Sequence, residues 1–328
     1  MPSPLVRLVT VAILVAGVTI AGCASEPAPA PITPKDHAAA WQLWKDKRVK
    51  WLTTPNRAAS FTGLRWLRQG ATTIGSDSSN DVRLPGRNVP ARVGTLIREG
   101  AKVRFEPAVG AASAIIIDST PATARLLRSD GDSGGASTVT AGSAGFRIVK
   151  RLDSLGVRTW DGDKVSPEVI ARTFTPFEHF PLQPEWRLAG RFEPLAKPES
   201  LGVPTVNGVA ELYINIGKVK ARVGGTPVAL TAFAGNIPTD LFLSFSDETS
   251  GEETYGFRFI HAALDTATKV VTLDFNFAYN PECAFSAFTT CPLPPEGNRI
   301  GVRIPAGEKI IRHLDDTTHA LTANGSTK

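Results

Sequence analysis

The chain has 328 residues, 42% hydrophobic and 20% charged, a globular composition long enough for two ordinary domains. Its formal net charge is +5, and +4 from Cys23 onward because Arg7 is the one charged residue before it. The excess is scattered, with no Lys/Arg run interleaved with aromatics, so no nucleic-acid partner is expected. Twenty-five prolines and 29 glycines predict many turns and short strands.

Residues 1–22 read as a signal peptide. Arg7 supplies the positive start, and "LVTVAILVAGVTI" is an apolar core too short to span a bilayer comfortably. Ile20-Ala21-Gly22-Cys23 then resembles the lipobox of bacterial lipoproteins. The resemblance implies cleavage before Cys23 and thioether lipidation of its sulfur. The expected location is outside the cytoplasm, held by lipid to the bacterial cell membrane and facing periplasm or exterior. The Pro/Ala-rich residues 23–35 read as an extended tether.

Thr33-Pro34-Lys35-Asp36 has the form of a helix start, with Thr as cap, Pro in the first position and an acid in the third. A helix follows through "AAAWQLWKDKRVKWL", with Trp41 and Trp44 on one face. Docking on the body of the protein is the simpler reading. A membrane-surface helix is the alternative, given Lys45, Lys47, Arg48 and Lys50 near the anchor.

The rest is predicted to be mainly β, in two β-rich lobes. Residues 36–160 hold the helix and a sandwich-like lobe, with strands at "FTGLRWLRQ", "DVRLP", "ARVGTLIR", "KVRFEP", "SAIIID" and "ARLLRS". Residues 161–185 bridge to a C-terminal β lobe over 186–316, and 317–328 form a flexible tail. Strands of the second lobe are expected at "WRLAGRFEP", "GVAELYINIG", "KVKARV", "TPVALTAF", "DLFLSFSD", "TYGFRFIHA" and "KVVTLDFNF". "TIGSDSSNDVRLP" with the hairpin after it resembles forkhead-associated domains in rhythm. Ser76 stands where those domains carry an arginine, and Pro90-Ala91-Arg92-Val93 replaces their Ser and His. The resemblance therefore implies a sandwich rather than phosphothreonine recognition.

Several short motifs have simpler readings than catalysis. Gly131-Asp132-Ser133-Gly134-Gly135 matches the serine motif of chymotrypsin-like proteases, but the only upstream histidine is His37, and a β turn is expected there. Asp77-x-Ser79-x-Asp81 spaces oxygens as calcium loops do, without their glycine and distal glutamate. The five histidines form no metal-ligand spacing, so no metal or cofactor is expected. Cys283 and Cys291, in an exported chain, predict a disulfide pinning the last loop.

That last stretch carries the most chemistry. Alternation places Leu241, Leu243, Phe245 and Asp247 on one face, and Thr272, Asp274 and Asn276 on one face. Arg258, opposite Tyr255, Phe257 and Phe259, is a possible partner for Asp274. Thr254-Tyr255, Arg258-Phe259, Asp274-Phe275-Asn276, Tyr279-Asn280-Pro281, Cys283, Cys291-Pro292-Leu293, Asn298 and Gly307-Glu308-Lys309 closely resemble the bacterial domain-of-unknown-function family 1684. Phe257 stands where that family often has Gly. The resemblance implies no activity.

Two functions fit the residues. In the enzyme reading, a hydrolase acts on an envelope substrate, with Asp274 or Glu308 as acid or base and Arg258 holding an anion. In the binding reading, Arg258, Asp274, Asn276, Tyr279, Asn280, Asn298 and Glu308 shape a rigid loop in a ligand- or partner-binding lipoprotein. The second is preferred, because no nucleophile–base set accompanies the carboxylates. The expected partners are the membrane, through Cys23, and a small molecule or envelope component.

Overall fold

The computed structural model describes residues 27–314. The signal segment, Cys23 and the tail 317–328 lie outside the described residues.

The first element is α1 (Pro34–Leu52). The Thr33 hydroxyl caps it by accepting from Asp36 N, and donates in turn to the Asp36 carboxylate at 2.7 Å. One N–H of the first turn is thereby satisfied, at a start where proline removes another.

A two-sheet sandwich follows. Its strands are β1 (Phe61–Trp66), β2 (Gly70–Gly75), β3 (Val82–Arg83), β4 (Gly94–Glu99), β5 (Lys102–Pro107) and β6 (Ile115–Ile117). Then come β7 (Thr120–Pro121), β8 (Arg125–Leu127), β9 (Val139–Ala141), β10 (Ala144–Arg151) and β11 (Ser154–Asp161). One sheet has the order β1-β11-β10-β9-β6-β7 and the other β3-β2-β4-β5-β8. Ile74, Leu96, Phe105, Ile115, Phe146 and Val157 fill the space between them. Phe105 and Phe146 meet edge to face at 5.5 Å, a favoured aromatic geometry.

Five of these strands, β2, β7, β9, β10 and β11, have no counterpart among the expected ones, and the longest of the five are β10 and β11. They form the longest hairpin of the sandwich and are largely buried on both faces, one of which carries Arg147, Arg151 and Arg158. Arginines on a covered face remove the alternation that marks a half-buried strand. The Gly131–Gly135 segment is a turn between β8 and β9, with Gly134 and Gly135 at φ +84° and +74° and Ser133 exposed. Asp77 likewise closes a local turn by accepting from Ser79 N.

After α2 (Pro167–Thr173) comes a barrel of six antiparallel strands. These are β12 (Arg187–Val203), β13 (Glu211–Val223), β14 (Thr226–Ala234), β15 (Asp240–Phe245), β16 (Arg258–Leu264) and β17 (Val270–Asp274). Each pairs with the next, and β12 closes on β17, so the sheet has no free edge along the ring. Val219, Leu230, Leu243, Phe245, Ile260 and Val271 point inward and fill it. The barrel is a packed core rather than a pore. A third core of Leu52, Phe61, Trp160, Phe174, Phe285 and Ile311 joins helix, sandwich and C-terminal loop.

Cys283 and Cys291 do not form the expected disulfide: both are free thiols. They lie side by side, with Cys283 N donating to Cys291 Sγ at 3.1 Å, in a cluster with Phe233, Phe242, Phe257 and Phe259. Burial pushes the Cys283 thiol well above its ordinary value, which disfavours the thiolate needed for exchange. The loop is held by packing and hydrogen bonds instead.

Candidate functional site

The residues from Phe275 to His313 wrap one end of the barrel, and the buried polar side chains in them are widely engaged. Arg258 begins β16 with the inward parity of Ile260 and Ala262. Its guanidinium is fully buried and donates to the Asp247 carboxylate, to Ala306 O and to Ile304 O. The Phe245 ring lies 5.2 Å from it. Asp247 also accepts from Thr249 N, the Thr249 hydroxyl and Ile304 N. Burial lowers the pKa of Arg258, and the Asp247 charge opposes that shift.

The expected Arg258–Asp274 pair is therefore not formed. Register explains it: Phe245 pairs with Arg258, which puts the end of the β15 stripe, Asp247, next to the guanidinium. Asp274 ends β17 opposite Arg187 of β12, on the far side of the closure.

Asp274 instead faces α1. Its carboxylate lies 2.7 Å from His37 Nε2 and 3.4 Å from Arg187 Nε. It also accepts from the backbone and side-chain amides of Asn276. The Asn276 side chain pairs with the backbone of Gln183 in both directions, at 2.9 and 2.8 Å, like a missing strand residue. Glu308 is held in the same manner. It accepts from Arg48 Nε at 2.8 Å and from Asn280 N at 2.7 Å, while Arg48 also reaches Asn280 O.

Gly307 fixes the approach of Glu308. Its φ is +82°, and a Cβ there would sit 2.4 Å from Ala278 O. A side chain would collide with the strand-like contact that carries Glu308 N to Ala278 O.

The two carboxylates thus meet the two ends of one helix. His37, Trp41, Trp44 and Arg48 recur at helical spacing on the inner face of α1. Trp41 Nε1 donates to Asn276 O at 3.2 Å, and Trp44 packs against His179 and Phe277. Burial depresses the His179 pKa below its ordinary 6.5, so the ring sits neutral against both indoles. Sequence reasoning missed His37 and Arg48 as partners. Their signal was present as spacing, but the basic residues of α1 also suited a membrane surface.

Asn298 does a different job. Strands β14 and β15 pair over only two residues, Phe233–Phe242 and Ala234–Leu241. Beyond that point the buried Asn298 side chain bridges them, accepting from Thr231 N at 2.7 Å and donating to Thr231 O and Ser244 O. One amide replaces the strand hydrogen bonds that the barrel lacks there.

A cleft of about 660 Å³ opens where α1, the sandwich and the outer wall of the barrel meet. Its walls include Trp51, Arg151, Tyr213, Phe242, His261 and Tyr279. Tyr213 stacks on Phe242, and His261 stacks on Tyr279 with the rings parallel to 1°. Of the residues expected to bind, Tyr279 and Asn280 line this cleft. Arg258 and Asn298 are fully buried elsewhere. The void beside Glu308 is only about 10 Å³, room for about one water. Among the described residues no group of His, Cys, Asp and Glu is arranged to hold a metal ion.

Residues 172–309 match the family described as "Protein of unknown function (DUF1684)". The likeness to DUF1684 is therefore one of the C-terminal region, under half of the chain. The clasp around Asp274, Asn280, Asn298 and Glu308 lies wholly inside the DUF1684 region, whereas α1 lies outside it. An uncharacterized protein from gene locus rrnAC0354 of Haloarcula marismortui, solved in solution, is 31% identical, covering 44% of this chain and 80% of that one with a TM-score of 0.37. The FHA domain of FhaA, solved in complex with the intracellular domain of Rv3910, is 17% identical, covering 29% of this chain and 96% of that one with a TM-score of 0.21. No curated protein matches the chain.

Proposed function

We propose that this chain is a bacterial envelope lipoprotein that binds a small organic ligand, and that its DUF1684 motif is a structural clasp. The observation that carries the reading is the engagement of both candidate carboxylates by α1, Asp274 with His37 and Glu308 with Arg48. A general acid or base must reach substrate. Glu308 borders room for about one water, and Asp274 is closed in by His37, Arg187 and Asn276. The clasp instead sets α1 as one wall of the cleft. Trp51, Tyr213, Phe242 and Tyr279 favour a ligand with a flat apolar face, since buried aromatic pairs add about 0.5–1.5 kcal/mol beyond their area. Lipid on Cys23 would hold that cleft near the membrane on a Pro-rich tether.

Tryptophan emission tests the binding, because Trp44 and Trp51 both line the cleft. Small molecules extracted from the cell envelope should shift the emission of the wild type, and Tyr213→Ala should abolish the shift. Unchanged wild-type emission across all fractions would contradict the binding reading. In the same preparations, Cys23→Ser should leave the membrane fraction or remain unprocessed. Membrane retention equal to wild type would remove the anchor.

A further inference from the structure

Beside the cleft lies a set of arginines that neither the clasp nor the cleft uses. Arg147 and Arg158 face each other across the β10–β11 pair. Their guanidinium carbons lie 5.4 and 5.0 Å from the centroid of the same Phe61 ring, so the two groups converge. Arg158 is only 2% exposed. Its Nε and Nη2 are buried without a hydrogen-bond partner, as are Arg147 Nε and Arg57 Nε. No carboxylate among the described residues forms an ion pair with any of these three. Arg151, two repeats of the pleat along β10 from Arg147, shows the contrast: it is paired with both Asp130 and Glu211.

Like charges directly opposite in a sheet destabilise it, and a buried charge without a partner costs far more than an exposed one. The negative group acting most strongly on both Arg147 and Arg158 is Glu282, and the next, Asp130, is already paired with Arg151. Three cations against one carboxylate leave two positive charges uncompensated. Desolvation lowers Arg158 to about 10, which still leaves it protonated at neutral pH. Deprotonation therefore does not relieve the cluster. Arg57 lies with its guanidinium 4.8 Å from the Trp51 ring and its charge acts on Arg147; both are partly exposed, so the cluster has a face toward solvent.

We infer that Arg57, Arg147 and Arg158 form an oxyanion site that takes a phosphate group. A phosphate dianion matches the uncompensated charge. Its oxygens accept several guanidinium hydrogen bonds at once, and such charge-assisted bonds are the strong ones. The site adjoins the cleft through Arg151 and Glu282, which line it, but it stands on its own residues and does not require the cleft to bind anything. The phosphate could be free or the head of a larger ligand lying in the cleft.

Thermal unfolding of the full chain tests this, with sodium phosphate exchanged for sodium chloride at fixed ionic strength and pH. At phosphate ten times its dissociation constant, the wild-type melting temperature should rise by about 2 °C. Arg158→Leu and the milder Arg147→Gln should each lose that rise. Without phosphate, Arg158→Leu should melt no lower than wild type, because it removes an unpaired like charge. A structural role for Arg158 would make that variant melt lower. Phenyl phosphate separates the sources: a larger shift than inorganic phosphate supports a headgroup, and an equal shift supports the free ion. The inference is overturned if neither probe moves the wild type. It is equally overturned if both variants keep the wild-type shift, which would mark a general salt effect. Tyr213→Ala should leave the inorganic phosphate shift intact, so failure of the cleft reading remains distinguishable from failure of this one.

Discussion

Replacing Asp247 by alanine should destabilise the protein by about 3–5 kcal/mol, the cost of leaving one member of a buried ion pair without its partner. The pair has both side chains fully inaccessible to solvent. Arg258 would keep only two carbonyl partners, Ile304 O and Ala306 O, and would remain charged inside an apolar barrel end. Asp247 also organises the loop by accepting from Thr249 and Ile304, so its loss orphans further buried donors. At about 1.5 °C per kcal/mol for a chain of this size, the melting temperature should fall by about 4–8 °C. The double variant Asp247→Leu with Arg258→Met should lie closer to wild type than Asp247→Ala, because an apolar pair of similar volume removes the stranded charge. A loss below about 1 kcal/mol for Asp247→Ala would show that the pair does not hold the barrel end.

Asn298→Ala should be nearly as damaging. It strips partners from three backbone groups, the half-buried Thr231 N and O and the buried Ser244 O, at about 1–3 kcal/mol for each group left unsatisfied. The position is fully buried, so water does not readily replace the amide. Asn298→Asp is the sharper probe. It keeps the acceptor for Thr231 N but turns a carboxylate oxygen toward two carbonyls, so it should be no better than alanine despite its shape. Equilibrium denaturation reads both. An Asn298→Asp variant as stable as wild type would mean that strand closure does not depend on this side chain.

Much of the β architecture was legible in the sequence because half-buried strands alternate. Leu241, Leu243, Phe245 and Asp247 read as one stripe and are all buried together. The helix start at Thr33 was legible because capping is local chemistry. What escaped depends on which distant segments meet. Arg258 carried a visible inward parity, but choosing Asp247 over Asp274 required the register of β15 against β16. The partners of Asp274 and Glu308 lie on α1, 237 and 260 positions away in the chain, and nothing local to the motif points there. Strands β10 and β11 were obscured by arginines on a face that is covered only in the folded chain. The cysteine pair misled because spacing and compartment suggest a bridge, whereas the structure packs two free thiols among aromatics.

The central claim is that the motif's carboxylates hold α1 in place rather than perform chemistry. A double-mutant cycle on Arg48 and Glu308 tests it most directly, with Arg48→Met, Glu308→Gln and the double variant compared by chemical denaturation. Both side chains are largely buried, at 10% and 6% exposure, so the pair is only weakly screened. The predicted coupling is about 1.5–3 kcal/mol, the range for hydrogen bonds to charged groups. Additivity of the two single losses to within about 0.5 kcal/mol would contradict the clasp.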